Sequence, residues 1–186
     1  SFKRAGYTSE SNFLPMLGFL VSYKTLNKRE TKNRRYPEFK NLKGLLQSCY
    51  LDVFSMIHYN SRETETLAQQ ASRIFDSGIY DEGLCRALQM NIVWPPTHQV
   101  KKIKEKYPKM QIVFQASHRA TKDKTPQEIA RKISEYEDAI SYVLIDPSGG
   151  RGALFDHETS LNLYNELAEK LLKSQLGLRE DLVVGL

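Results

Sequence analysis

A chain of 186 residues, 40% of them hydrophobic, is long enough to bury a sizeable core as one domain. No apolar run approaches the roughly 18 residues of a membrane-spanning helix, and no secretory signal is expected. The formal charge of +5 is modest, and much of it sits in one stretch, Lys28, Arg29, Lys32, Arg34 and Arg35. One basic loop without an organised set of stacking aromatics argues against a nucleic-acid-binding protein. Cys49 and Cys85 are far apart, and reduced thiols in a cytoplasmic protein are the simplest reading.

In chain order, the first predicted strand is "LGFLVSY" (17–23). The following "TLNKRETKNRRYP" (25–37) has no periodicity and reads as a long basic loop, either solvated or folded so that Arg34 and Arg35 clamp an anion. "LDVFSMIH" (51–58) is the second strand. Asn60 with Glu63 then forms the pattern of a capping box, and Leu67, Ala71, Ile74 and Phe75 recur on one helical face. "ALQMNIV" (87–93) and "MQIVFQA" (110–116) are the third and fourth strands. Thr125, Pro126 and Glu128 mark another helix start. "ISYVLID" (140–146) is the fifth strand, and after Asp156 a helix is expected with Leu161, Leu163, Tyr164, Leu167, Leu171 and Leu172 at helical spacing. "LVVGL" (182–186) is the sixth.

Most of these strands are continuous apolar runs, as expected where both faces are covered, and strand–helix alternation means parallel strands with crossover helices. Units of about 30 residues match a (β/α)8 barrel of roughly 240 residues. The expected fold is therefore an α/β TIM barrel, one domain over residues 1–186, incomplete as written. One strand would precede it and the last would follow. Without an initiator Met, and with a final apolar strand that nothing covers, the sequence reads as part of a longer protein.

Active sites of such barrels lie at the C-terminal ends of the strands. Polar residues interrupting apolar runs there are few: Ser22 and Lys24, His58 and Asn60, Gln89 and Asn91, Gln115, Ser117 and His118, Asp146 and Ser148. Gln89 and Asn91 share a strand face, as do Gln115 and Ser117. Amides among apolar neighbours either pair with one another or hold a polar ligand, because an unpaired buried amide is costly. Asp146 closes a buried strand, where a carboxyl group loses solvation and suits general-acid work; the plain alternative is an Asp that caps the next turn. Gly149, Gly150 and Gly152 allow backbone N–H groups close to an anion, with Arg151 adding charge. His58, His118 and Asp146 have no local metal-ligand spacing, so no metal is assigned. His98 and His157 read as surface residues, and both cysteines as packing.

"LGFLVSYKTLNKRETKNRRYP" and "VLIDPSGGRGALFD" resemble the second strand with its loop, and the sixth strand with its loop, of the phosphoribosylanthranilate isomerase family. The resemblance implies a (β/α)8 barrel without cofactor that performs an Amadori rearrangement on a small phosphorylated substrate. It implies that Asp146 is the general acid and that Arg35 contacts substrate; His58, Asn91, Gln115, Gly149, Gly150 and Arg151 are expected as further binding residues from their places at the strand ends and in the glycine-rich loop. The family's general base is a Cys of strand one, the strand expected to precede this sequence. "LQMNIVWPP" places Asn91 and Trp94 where the family has His-Gly, so the substrate is expected to differ in detail. A barrel that binds a phosphate-bearing metabolite without catalysing this reaction is the alternative. Oligomeric state is left open.

Overall fold

The computed structural model describes residues 16–49, 53–146, 157–174 and 183–185. Six strands form one parallel sheet in sequential order: β1 (Met16–Ser22), β2 (Phe54–Asn60), β3 (Ala87–Met90), β4 (Gln111–Ser117), β5 (Tyr142–Asp146) and β6 (Val183–Gly185). Helices α1 (Tyr23–Leu26) and α2 (Leu42–Gln47) lie between β1 and β2, and α3 (Leu67–Phe75) precedes β3. They are followed by α4 (Thr97–Lys106) before β4, α5 (His118–Thr121) and α6 (Pro126–Ser134) before β5, and α7 (His157–Ser174) before β6. A parallel sheet whose strands follow chain order, each joined through helix, is the architecture of a partial TIM-barrel-like α/β fold. Among the described residues β1 pairs with β2 alone, and no pairing of β6 with β1 closes the sheet.

Strand residues alternate between two environments. One face packs on the helices: Val21, Ile57, Tyr59, Leu88, Met90, Ile112, Phe114, Val143 and Ile145 join Leu67, Ile74, Val100, Ile103, Ile129, Ile133, Leu163 and Leu167 in the main core. Each such side chain removed from water contributes about 1.5–3 kcal/mol. The opposite face carries a smaller cluster of Phe54, Met56, Ala87 and Val113, against which Tyr142 and Leu144 pack. These residues occupy the N-terminal parts of their strands and form an apolar floor. The polar residues sit above them, toward the C-terminal ends.

The Leu67, Ala71, Ile74 and Phe75 face of α3 is fully buried, as its periodicity predicts. The box at Thr125 and Glu128 forms reciprocally, with Pro126 as the first helical residue. The expected box at Asn60 does not. Asn60 is the last residue of β2, because pairing with β1 continues to Ser22↔Asn60. Ser61 Oγ then accepts from the Glu63 N–H, and a 3-10 turn at Thr64–Thr66 leads into α3. Gln70 replaces the cap from within the helix, donating to the Glu63 carbonyl and to Thr66 Oγ1 while accepting from Tyr59 Oη.

Strand limits differ from the apolar runs for a related reason. β2 begins at Phe54 and runs past His58, since inward polar side chains interrupt hydrophobicity without ending the ladder. β3 stops at Met90, although the Asn91 N–H still bonds the Tyr59 carbonyl. Trp94 takes a left-handed backbone (φ 46) before Pro95, which turns the chain out of the sheet. The basic loop is shorter than expected, because Ser22 and Thr25 form a mutual capping box that turns residues 23–26 into α1. In α7, Leu163 and Leu167 are buried, whereas Leu161 and Tyr164 face solvent and the side chains of Leu171 and Leu172 lie outside the described set. No helix of the described residues is long and apolar enough to cross a membrane.

Candidate active site

At the C-terminal ends of the strands a cavity of about 730 Å³ is lined by Leu20, Arg35, Tyr36, His58, Asn60, Asn91, Val93, Gln115, Ser117, His118, Arg119 and Asp146. Strand register makes this set. Leu20 is opposite His58, His58 is opposite Gln89, and Ser117 is opposite Asp146. Neighbouring strands of a parallel sheet point laterally paired residues to the same face, so side chains from distant parts of the chain converge.

The base of the cavity is a hydrogen-bonded row. Gln89 Nε2 donates to Gln115 Oε1 at 3.0 Å, and Gln115 Nε2 donates to Asp146 Oδ2 at 2.7 Å. Both glutamines are buried. Of the two readings the sequence left open, the amides do satisfy one another, and Gln115 and Asn91 also line the cavity. Gln89 lies beneath it and supports Gln115. Asp146 is half-buried at the wall, fixed on one oxygen by Gln115.

His58 stands on β2 in the field of two groups of opposite charge. Burial lowers its pKa below the ordinary 6.5; Asp146 acts against that shift, and the Arg35 guanidinium adds to it. The imidazole is therefore held toward its neutral form, with a nitrogen lone pair able to accept a proton. Arg35 lies on the loop after α1, exposed, its backbone N–H bonded to Asn33 Oδ1. Arg34 does not line this cavity.

The cavity thus brings together Arg35, His58, Asn91, Gln115 and Asp146 from the sequence reading. Gly149, Gly150 and Arg151, like Pro147, Ser148 and Gly152, lie outside the described residues. Arg119 is an addition. It stands two residues past the end of β4 beside His118, and the apolar run gives no notice of it because it follows the last strand residue. Tyr36 is a second addition, and it walls two further cavities beside the first. The nearer, about 370 Å³, shares Asn60 and is bordered by Ser22, Lys24, Arg29 and Arg62. Among the described residues no group of three or more His, Cys, Asp or Glu is arranged to hold a metal ion. His98 and His157 are exposed, and both cysteines are free thiols, Cys85 buried and Cys49 half-buried.

No family model and no curated protein sequence matches this chain. Solved structures do. Phosphoribosyl anthranilate isomerase from Thermus thermophilus is similar over 100% of this chain and 82% of its own, with a TM-score of 0.51 and 11% sequence identity. At that identity the likeness concerns the fold alone, and it agrees with the barrel-like order of the six strands.

Proposed function

We propose that the protein is an isomerase-like enzyme on a (β/α)8 barrel, acting in the cytoplasm on a phosphorylated sugar derivative by general acid–base catalysis. The observation that carries this reading is the Gln89–Gln115–Asp146 row, which presents a carboxyl group to the same cavity as a neutral imidazole. An aldose-to-ketose shift needs such a pair. As general acid, Asp146 gives a proton to the ring oxygen as the C1–O bond breaks, with the lone pair of the C1 substituent forming the new double bond to C1. His58 accepts the proton leaving C2; the resulting enol then gives its O–H proton to the Asp146 carboxylate and becomes the ketone as His58 delivers its proton to C1. Asn60 and Asn91 supply amide groups suited to sugar hydroxyls, and Arg35 supplies charge for an anionic substituent. The glycine-rich segment with Gly149, Gly150 and Arg151 follows Asp146 directly in sequence and belongs to the same reading.

The test is turnover of phosphoribosylanthranilate, followed by its fluorescence, with Asp146→Asn and His58→Asn alongside. Acceleration by the wild type that each variant loses supports the assignment. A folded protein that binds a sugar phosphate without accelerating the reaction, and that retains its affinity as Asp146→Asn, supports the alternative of a metabolite-binding barrel.

A further inference from the structure

We propose that the cavity of about 370 Å³ beside the catalytic one is an anion site of its own, taking a phosphate dianion, either free or as the end of a monoester. It holds a molecule separate from the substrate, so it stands apart from the phosphosugar reading and does not depend on it.

Strand register brings two of its cations together. Ser22 stands opposite Asn60 at the ends of β1 and β2, and Lys24 and Arg62 each follow two residues later. Both therefore leave from adjacent strand ends, about 4.8 Å apart. The third cation, Arg29, is brought back to the same place because its backbone N–H donates to the Lys24 carbonyl at 2.8 Å. Lys24 lies within the turn that the Ser22–Thr25 capping box closes. Arg62 sits between the buried Ser61 and Glu63, whose N–H donates to Ser61 Oγ. The backbone that carries each charge is fixed before any ligand arrives.

Like charges gathered on a fixed backbone repel one another. The lining holds these three cations and one carboxylate, that of Glu63, a net of +2. Among the described residues no salt bridge engages Lys24, Arg29 or Arg62, whereas Lys43, Lys101, Lys106 and Lys132 each meet a carboxylate. A phosphate dianion matches that charge and offers acceptor oxygens to all three. The cavity is larger than one phosphate group, and Tyr23 and Tyr36 in its lining give an organic substituent ring surface to lie against. Tyr36 and Asn60 also line the catalytic cavity, so the bound anion sits one wall away from the substrate.

Isothermal titration with inorganic phosphate and with phenyl phosphate tests this on the wild type, Arg62→Gln, the double variant Lys24→Gln with Arg62→Gln, and Arg35→Gln. Arg62→Gln is expected to weaken one equivalent of bound phosphate about ten-fold, the loss of roughly one charge-assisted contact, and the double variant to abolish it. Arg35 borders the catalytic cavity and not this one, so Arg35→Gln is expected to keep that equivalent. Tighter binding of phenyl phosphate makes a monoester the ligand; equal or weaker binding makes it free phosphate. Lys24 and Arg62 are exposed, so the variants should keep the wild-type circular dichroism and Tm, which are measured as a control. Loss in Arg35→Gln with retention in the double variant assigns the phosphate to the catalytic cavity and overturns the separate site. No binding by the wild type overturns it as well, and so does equal binding by every variant, which is an adventitious ion only.

Discussion

Gln115 and Asp146, 31 positions apart in sequence, meet through a 2.7 Å hydrogen bond from the amide Nε2 to carboxylate Oδ2. The same amide accepts from Gln89 through its oxygen, so its orientation is determined from both sides. An amide that accepts at one end and donates at the other can bridge two partners without leaving a buried group unpaired. Asp146 is thereby aimed into the cavity by a residue that itself belongs to the apolar interior.

Replacing that bridge has a defined cost. Gln115→Leu removes the donor to Asp146 and strands the Gln89 amide N–H in a buried position. The expected loss is about 1–3 kcal/mol, read from urea unfolding midpoints. Gln89→Leu removes only the lower member and is expected to cost less, with Asp146 still held. Equal losses from both substitutions would show that the row is not anchored through Gln115.

Acid should weaken the fold through His58. Its folded pKa lies below the ordinary 6.5, chiefly because burial disfavours the imidazolium. The unfolded chain therefore binds the proton more readily, and stability rises with pH across the interval. The contribution is complete above the ordinary value and is lost as pH falls toward the folded one. Asp146 and Arg35 are the charges that bear on it, the first opposing the shift and the second reinforcing it. Between about pH 7 and about pH 5 the Tm of the wild type should fall further than that of His58→Asn. Parallel curves for the two proteins would remove His58 as the source.

The two thiols should differ sharply in reactivity. Burial pushes the Cys85 thiol up to about 12, and its Sγ is directed at the Ala87 carbonyl at 3.1 Å. Cys49 is also raised by burial, but it is only half-buried and remains accessible. Thiolate is the reacting form, so native protein with a disulfide reagent at mildly alkaline pH should release one equivalent promptly and the second only on unfolding. Two prompt equivalents would show that the segment just before β3, which holds Cys85, opens readily.

The start of α6 offers a local test of sequence-encoded stability. Thr125 Oγ1 accepts from the Glu128 N–H at 3.2 Å, and Glu128 Oε2 accepts from the Thr125 N–H at 2.8 Å. Thr125→Ala should cost about 1 kcal/mol in chemical denaturation, whereas Thr125→Ser should retain most of the stability.

Much of the fold is legible where the signal is local. Thr125, Pro126 and Glu128 announce a helix start through contacts three residues apart, and the α3 stripe follows from helical geometry. Asn60 and Glu63 carry the same capping pattern, yet β2 claims Asn60 because its ladder with Ser22 extends that far. Nothing within four residues of Asn60 distinguishes the two outcomes. The strand-end polar residues His58, Gln115 and Asp146 were readable as site candidates because they interrupt apolar runs; Arg119, standing beyond the run, had no such contrast.

Residue pattern alone determined the alternation of strands and helices, the apolar face of α3, and the concentration of polar groups at the strand ends. Tertiary structure decided which of those groups meet. Gln89, Gln115 and Asp146 lie on three successive strands of the sheet order, and crossover helices separate them in sequence. Their contact depends on the register in which β3, β4 and β5 align, and that register is set by helices packing on the opposite face of the sheet. A shift by one residue would turn each of these side chains away from the cavity and into the helix layer.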